Sequence, residues 1–319
     1  MRRRPVKSHV LGAVGVVAAL VLTACGSTSE ADPGVEPTVA ADALFPRTVQ
    51  HAMGETEIPA EPERVVVLDT GELDSALSLG VTPVGGVTTD VSTGFLSYLA
   101  EGAADVERVG TIGEPDLEAI AALEPDLILS NKVRHEDLYD ELSRIAPTVF
   151  AERVGAVWEE NLLLAAEALG REEQAEQAVD EYQRAAVELG ESLDAAGTTV
   201  SAVRIVEGTI RVYTRASFIG TVLADAGLEQ LELPTDEVPT FAELSAEELT
   251  QVDADIVLYS SYGPADDSGE AAALAGPLWP RLRAVQEDRA LAVEDDVFFT
   301  GIGLTAANLM IEDLADRLG

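Results

Sequence analysis

A helix-like segment that runs directly into a short apolar strand occurs twice in this chain of 319 residues. The first copy is LEAIAALEPDLILS, residues 117–130, and the second is SAEELTQVDADIVLYS, residues 245–260. When the two copies are aligned, Glu118 coincides with Glu247, and the apolar positions of the two strands coincide as well. This repetition predicts an internal duplication, and it constrains the chain to two similar lobes built from alternating strands and helices.

Apolar strands alternate with helical patterns on both sides of one long helical segment. RVVVLD, residues 64–69, is a continuous apolar run of the kind that is buried on both faces of a parallel sheet. Residues 171–197 keep apolar side chains at three- and four-residue spacing, and a helix of about 25 residues would span roughly 38 Å. We therefore predict an α/β fold with a first lobe over 47–168, a linking helix within 169–197 and a second lobe over 198–319.

The N-terminal residues indicate an exported and anchored protein. A basic start and a short apolar run are followed by LTAC, which ends at Cys25 and resembles a bacterial lipobox. The resemblance implies that residues 1–24 are a lipoprotein signal peptide and that Cys25 is acylated, with residues 25–46 as a flexible tether at the extracytoplasmic face of the cell membrane. The alternative is an ordinary signal peptide or apolar anchor in which Cys25, the single cysteine of the chain, is incidental.

The chain is strongly acidic, with 58 Asp and Glu against 20 Lys and Arg and a formal net charge of −38. Loss of residues 1–24 would remove four basic residues and no acidic residue, which takes the charge from −38 to −42. A field of this sign repels phosphate backbones and anionic lipid headgroups. The charge therefore argues against nucleic acid as a partner.

Several segments, taken in their order and spacing, resemble the substrate-binding lipoproteins of ABC importers of the ferric-siderophore class. They are ERVVVLD and SLGVTPVGG, GEPDLEAIAALEPDLIL, APTVF followed by a tryptophan, ALGREEQAEQAVDEY and SFIGTVLADAGL. The resemblance runs from about Val49 to the C-terminus. It implies the helical-backbone (class III) periplasmic-binding-protein fold, in which two Rossmann-like lobes with mostly parallel sheets are joined by one long rigid helix.

The same resemblance implies a function in iron transport. A monomeric, membrane-tethered protein of this kind captures a ferric siderophore between its lobes and delivers it to the permease dimer of an ABC importer. It is not an enzyme, and it needs no cofactor and no resident metal.

The resemblance also offers a role for the repeated glutamates. In that class of protein one acidic residue on each lobe docks against a permease subunit, and by position the matching residues here are Glu118 and Glu247. Glu248 competes with Glu247, and Glu72 is a second candidate in the first lobe. The alternative is that these are solvated carboxylates in the first turn of a helix, where the helix dipole favours them.

Ligands of open α/β sheets bind beyond the carboxyl ends of the strands, and this rule selects particular loops of the chain. Arginine and aromatic side chains gather in those loops. The candidate ligand-binding residues are Arg215, Tyr213, Trp158, Arg153, Phe298, Arg134 and Tyr262. Arginine can hydrogen-bond the oxygen atoms around ferric iron, and aromatic rings can cover apolar linkers. Each arginine could instead form a surface salt bridge, and Trp158 could be a core residue at a helix start.

Rival functions find less support in the sequence. Of the three histidines, His9 precedes the predicted cleavage site and His51 lies in RTVQHAMGETEIP, a predicted hairpin. Only His135 follows a predicted strand, so the sequence does not predict a histidine-rich site for bare zinc or manganese. Haem or a cobalamin-type corrinoid stays open as an alternative ligand.

Enzyme motifs are lacking as well. The chain has no GxSxG, HExxH, CxxC or Walker A sequence. GIGLTA, residues 301–306, lies too near the C-terminus to open a dinucleotide-binding unit, and we interpret it as a turn into the last helix.

Overall fold

The structure, a computed structural model, describes residues 44–231, 240–263 and 268–319. The predicted signal peptide, the predicted acylation site Cys25 and most of the predicted tether lie outside these ranges. No helix within the described ranges is both long enough and apolar enough to cross a membrane.

A hairpin and a parallel sheet form the first lobe. The hairpin pairs β1 (Arg47–His51) with β2 (Gly54–Ile58), as the sequence predicts. The sheet consists of β3 (Val65–Val67), β4 (Gly85–Thr88), β5 (Glu107–Thr111), β6 (Leu127–Asn131) and β7 (Thr148–Ala151). All neighbouring strands are parallel, and their order across the sheet is β5-β4-β3-β6-β7. Successive strands are added to one side of β3 as far as β5 and to its other side from β6 onward, so the switch point lies between β3 and β6. β3, β6 and β7 are buried along their whole length, which explains their continuous apolar sequences.

Helices connect the strands of this lobe. They are α1 (Thr70–Ser78), α2 (Leu117–Ala122), α3 (Lys132–His135), α4 (Tyr139–Leu142) and α5 (Trp158–Leu169), with 3₁₀ turns at Ser97–Leu99 and Glu136–Leu138. α1 begins directly after β3, where the side chain of Asp69 accepts a hydrogen bond from the backbone N–H of Thr70. α5 ends at Gly170, whose φ of 69° lies in the left-handed region that favours glycine.

A 21-residue helix, α6 (Glu172–Ser192), occupies most of the segment in which the sequence predicts the linking helix. Its buried face includes Ala175, Tyr182 and Leu189, which are spaced as the apolar periodicity indicates. α6 packs against α5 and against two helices of the second half of the chain, α7 (Phe218–Asp225) and α10 (Leu304–Leu318). The helix therefore contacts both halves of the molecule.

A second sheet forms the core of the second lobe. Its described strands are β8 (Thr199–Val206), β9 (Thr209–Tyr213), β10 (Glu229–Gln230), β11 (Phe241–Leu244), β12 (Ile256–Ser261) and β13 (Ala290–Ala292). The order is β11-β9-β8-β12-β13, and β10 also pairs with β8. β10, β12 and β8 are mutually parallel and β13 continues them, whereas β9 runs antiparallel to β8. The predicted α/β class with mostly parallel sheets is confirmed.

Short helices complete this lobe. They are α8 (Glu270–Leu274), α9 (Arg283–Gln286), 3₁₀ turns at Ala246–Val252 and Trp279–Arg281, and a π-helical turn at Asp296–Thr300 that precedes α10.

The repeated sequence unit has an equivalent structural role in each lobe. Asp126 precedes β6 and accepts hydrogen bonds of 2.9 Å from the backbone N–H groups of Glu63 and Arg64, just before β3. Asp255 precedes β12 and accepts a hydrogen bond of 2.8 Å from the backbone N–H of Thr199, at the start of β8. The two aspartates coincide in the sequence alignment, and each ties the repeated strand to the central strand beside it. The helices differ, because the first copy is α-helical and the second is 3₁₀.

One carboxylate of the first lobe caps the last helix of the chain. Asp74, on α1, accepts hydrogen bonds from the backbone N–H groups of Thr305 (2.9 Å) and Ala306 (3.2 Å) and from the Tyr98 hydroxyl (3.2 Å). A Cβ at Gly303 would lie 2.6 Å from the Asp74 carboxyl carbon, so only glycine permits this approach. The predicted turn at residues 301–306 is therefore the point where α10 docks on the first lobe.

Candidate functional site

A cleft lies between the two lobes, at the carboxyl ends of their central strands. In the first lobe, β3 leads into Asp69 and β6 ends at Asn131, on the two sides of the point where the strand order reverses. In the second lobe, β8 and β12 are neighbours, and β12 leads into Tyr262. Side chains of both lobes line a single cavity of about 310 Å³ at this place. This is the position where open α/β sheets bind ligands.

Aromatic rings form much of the cavity wall, and all of them come from the second half of the chain. They are Tyr213, Phe218, Phe241, Tyr262, Phe298 and Phe299. Tyr213 joins two of the others, with ring centroids 5.5 Å from Phe241 and 5.0 Å from Phe299. Phe298 and Phe299 enter the wall from the π-helical turn that precedes α10. Such a wall buries apolar parts of a ligand and keeps water away from its polar contacts.

Arg204 is the central polar group of the second lobe. It lies near the carboxyl end of β8, is only 7% exposed, and lines the cavity. Its Nε donates a hydrogen bond of 2.7 Å to Asp295, its Nη2 contacts Asp295 and Thr300, and its Nη1 donates to the Tyr213 hydroxyl at 3.3 Å. The guanidinium carbon also lies 4.3 Å from the ring centroid of Tyr262.

The protonation state of Arg204 follows from this setting. Burial alone lowers the pKa of the guanidinium, but the hydrogen bonds and the charge of Asp295 act in the opposite direction and leave a net upward shift of the pKa. Arg204 is therefore a fixed cation whose planar fork is held in one orientation by its neighbours.

An acidic cluster with one arginine faces Arg204 from the first lobe. Arg134 donates a hydrogen bond of 3.2 Å from Nε to the buried carboxylate of Asp69. Asn131 bridges the two acids of the cluster, because its Nδ2 donates to Asp69 at 3.1 Å and to Glu72 at 3.2 Å. Burial, and then the negative charge of Asp69, raise the pKa of Glu72 to about 8. Burial and the neighbouring carboxylate thus favour the protonated form of Glu72, and Asp69 forms the ion pair with Arg134 at this edge of the cavity.

A larger and more open depression, of about 1060 Å³, lies on the first lobe alone. Lys132, Arg134 and Arg153 line it together with four acidic residues. Arg134 also lines the interlobe cavity, so the two concavities adjoin. We take the interlobe cavity as the candidate site because residues of both lobes build it and because six aromatic rings line it.

Four of the predicted ligand-binding residues line the interlobe cavity. They are Arg134, Tyr213, Tyr262 and Phe298. Arg153 lies instead on the wall of the open depression beside the cavity. Arg215 is exposed and lines neither concavity, and no hydrogen bond or ion pair of its guanidinium is found among the described residues.

Trp158 requires a correction, because it belongs to the core and not to the cleft wall. Its side chain is 2% exposed and sits at the first turn of α5. Its ring packs edge-on against Tyr182 of α6 (centroids 5.0 Å apart) and against Phe218 of α7 (5.9 Å). The helical rotation at the start of α5 therefore turns Trp158 into the packing between helices, while Phe218 takes the place at the cavity wall.

Arg204 and Asp295 are not among the site residues predicted from the sequence. Arg204 stands inside VSAVRIV, the strand β8, and an arginine in a buried strand requires an anionic partner. That signal could have marked Arg204 as a site residue. Its partner Asp295 is 91 residues away, which the strand pattern alone does not reveal.

The predicted docking residues are placed at the surface. Glu118 lies in the first turn of α2 and Glu247 in the first turn of the equivalent 3₁₀ helix, and both are exposed. The alternative Glu248 is engaged in a capping box with Ser245. Glu72, the other alternative, is buried, so its candidacy as a docking residue is wrong.

His135 is occupied by neighbouring protein groups. Its Nδ1 lies 2.7 Å from the Ser130 hydroxyl, and its Nε2 lies 2.7 Å from the carbonyl oxygen of Ile112. Burial lowers the pKa of His135, which favours the neutral ring. Neither ring nitrogen is directed at the cavity as a free ligand for a metal.

A two-lobed α/β protein with an interlobe cavity at its strand ends is a solute-binding protein in architecture. The family model described as "Periplasmic binding protein" matches residues 65–296, and the chain belongs to this family. The predicted family resemblance is thereby confirmed.

Two relatives and one solved structure are similar to the chain over most of its length. The chain is 37% identical to "Probable siderophore-binding lipoprotein YfiY" of Bacillus subtilis (strain 168), over 94% of this chain and 95% of that protein. It is 31% identical to the achromobactin-binding periplasmic protein of Dickeya dadantii (strain 3937), over 81% of this chain and 87% of that protein. Staphylococcus aureus SirA, solved in complex with staphyloferrin B, superimposes with a TM-score of 0.76 at 29% identity, covering 85% of this chain and 98% of SirA.

Proposed function

We propose that this protein captures a ferric siderophore in the interlobe cavity and delivers it to an ABC importer. One observation carries the proposal: Arg204 and Arg134, which come from opposite lobes, line the same cavity together with six aromatic rings. The relatives named for siderophore or achromobactin binding, and the SirA complex with staphyloferrin B, support the same class of ligand.

The chemistry required of the site is recognition without covalent change. Iron in a siderophore is already saturated by the ligand's own oxygen atoms, so the protein contributes hydrogen-bond donors and apolar cover. Arg204 offers a pre-oriented guanidinium because Asp295, Thr300 and Tyr213 hold it. Its outer face is already covered by the ring of Tyr262. Arg134 offers a second cation whose side chain is 45% exposed and can adjust to the ligand.

The described lining of this cavity suits a siderophore better than haem. A haem pocket supplies an axial ligand to the iron, and His135 already has both ring nitrogens in contact with Ser130 and Ile112. The hydroxyl of Tyr213 likewise accepts a hydrogen bond from Arg204.

We assign the delivery step to the exposed pair Glu118 and Glu247. Each stands in the first turn of an equivalent helix, one in each lobe, as contact with two related permease subunits requires. Exposed charges of this kind orient and accelerate association more than they add affinity. Acylation at Cys25 would hold the monomeric protein at the membrane face where the permease lies.

Calorimetric titration of the full chain in detergent tests the ligand class. The ligands are a set of ferric siderophores, the same siderophores without iron, haemin and cobalamin. We expect saturable binding of at least one ferric siderophore with a sub-micromolar Kd, and weaker binding of its iron-free form. Saturation by haemin or cobalamin alone would overturn the siderophore assignment and leave the transport role.

A further inference from the structure

Carboxylates compensate both arginines of the interlobe cavity before any ligand arrives. Within the part of the chain that the structure describes, its charged lining residues are two arginines, Arg134 and Arg204, and two aspartates, Asp69 and Asp90. Asp295 stands directly behind Arg204 and contributes a third carboxylate. Among the described residues, three carboxylates therefore lie in or next to the cavity against two guanidinium groups.

Each arginine already has a carboxylate partner at hydrogen-bond distance. Arg204 binds Asp295 through two guanidinium nitrogens, and Arg134 binds Asp69. Asp69 is almost completely buried and is fixed by Asn131, so it stays opposite Arg134 when a ligand enters. Neither arginine represents an uncompensated positive charge that an anionic ligand could neutralise.

The net charge of the whole chain is also negative. The chain as a whole carries a formal charge of −38. A field of this sign lowers the local concentration of anions and slows their association.

Siderophore classes differ in the charge of their ferric complexes. Three hydroxamates, each a monoanion, neutralise ferric iron, whereas three catecholates, each a dianion, leave a trianionic complex. A trianion that enters this cavity would lose its hydration and would meet arginines that already have carboxylate partners. Its interaction with these arginines would therefore offset only part of the free-energy cost of desolvation. A neutral complex has no net charge to desolvate. Its carbonyl oxygens can still accept hydrogen bonds from the remaining N–H groups of Arg204 and Arg134.

We propose that the cavity selects ferric siderophores of zero or positive net charge, of the trihydroxamate class, against trianionic tris-catecholates. The selection comes from the pairing of Arg204 with Asp295 and of Arg134 with Asp69, and from the lining carboxylate of Asp90. This inference rests on the proposed function and specifies its ligand.

Competition between complexes of different charge tests the selection. The full chain in detergent is titrated by calorimetry with a neutral cyclic ferric trihydroxamate, with a linear ferric trihydroxamate that bears an ammonium group, and with a trianionic ferric tris-catecholate. We expect Kd values for both trihydroxamates that are about 100-fold lower than that for the tris-catecholate. Binding of the tris-catecholate with equal or higher affinity would overturn the charge selection while leaving the siderophore function intact.

A charge variant separates electrostatics from shape. Asp90→Asn keeps the side-chain oxygen that accepts a hydrogen bond from the Gly113 N–H, and it removes one carboxylate from the cavity. We expect the ratio of the affinity for the tris-catecholate to the affinity for the neutral complex to rise about tenfold. Asp105→Asn, at an exposed position that does not line the cavity, is the matched control for net charge and should change neither affinity.

The remaining outcomes also decide the question. Equal gains in Asp90→Asn and Asp105→Asn would assign the effect to the overall field and overturn the role of the cavity charges. Failure of all three ferric complexes to bind, in a protein that binds haemin or cobalamin, would overturn the proposed function and this inference with it.

Discussion

Arg204 and Asp295, 91 residues apart in the sequence, form a two-pronged ion pair at the back of the interlobe cavity. The pair is almost completely shielded from solvent, since the two side chains are 9% and 18% exposed. The ring of Tyr262 covers the guanidinium, and the Tyr213 hydroxyl accepts one of its hydrogen bonds. The position of Arg204 is thus set by these three neighbours before a ligand binds.

Replacement of Arg204 tests its role as the central donor. Arg204→Lys keeps the charge but loses the planar fork and its stacking on Tyr262, so we expect the Kd for the ferric ligand to rise at least tenfold, about 1.4 kcal/mol. Arg211→Lys is the matched control, because Arg211 also pairs with a carboxylate and stacks on an aromatic ring but does not line the cavity. Equal effects of the two variants in calorimetry would show that Arg204 has no special part in binding.

A substitution of Trp158 tests whether this residue supports the core or contacts the ligand. Because its ring is enclosed by Tyr182 and Phe218, we expect Trp158→Phe to lower the free energy of unfolding by about 1–3 kcal/mol and to leave the ligand Kd within about threefold. Urea denaturation and calorimetry measure the two quantities on the same sample. A large loss of affinity at unchanged stability would reinstate Trp158 as a ligand contact.

Because the pKa of Glu72 is raised in the folded protein, we expect the free energy of unfolding to depend on pH. Burial and the charge of Asp69 raise its pKa from 4.5 to about 8, so the folded protein holds a proton that the unfolded chain has lost between these values. Stability from this group is therefore fully present below about pH 4.5 and decreases as the pH rises to about 8, by a few kcal/mol in total. Glu72→Gln mimics the neutral form, and we expect it to raise the melting temperature at about pH 9 and to leave it unchanged at about pH 5.

A control for Glu72→Gln is the same substitution at the exposed Glu101. Glu101→Gln makes the same substitution at the protein surface, and we expect it to leave the melting temperature unchanged at both pH values. If Glu72→Gln destabilised the protein equally at both pH values, Glu72 would be ionised in the native state.

Docking is tested by removing the exposed glutamates of both lobes together. We expect Glu118→Ala with Glu247→Ala to reduce iron uptake by cells at least tenfold, because each lobe would lose its contact with the permease, and to leave the ligand Kd unchanged. The control is Glu101→Ala with Glu287→Ala, which removes the same charge from one exposed position in each lobe. A fall in uptake that was equal in both double variants would refute a specific docking role.

The sequence predicted the architecture because local patterns determine it. Continuous apolar runs marked β3, β6 and β12, and the three- and four-residue spacing marked α6. Gly170 stands at the left-handed position that ends α5, where glycine is expected. The sequence repeat that predicts an internal duplication includes Asp126 and Asp255, which form equivalent hydrogen bonds beside equivalent strands.

The site was less predictable because it depends on side-chain direction and on distant partners. Strand ends located Tyr213 and Tyr262, but the same rule selected Trp158, which the rotation of α5 turns into the core. Arg215 follows β9 by two residues, yet the exposed turn before α7 directs it away from the cavity. Arg204 was hidden inside a strand, and its partner Asp295 comes from the far end of the chain.

The position of iron in crystals of the protein with a bound ferric siderophore is the most direct test of the proposed site. Anomalous scattering at the iron absorption edge locates the metal independently of any fitted ligand. We expect one peak in the interlobe cavity, beside Arg204 and enclosed by the rings of Tyr213, Tyr262 and Phe299. A peak in the open depression of the first lobe, between Lys132 and Arg153, would contradict the assignment of the site.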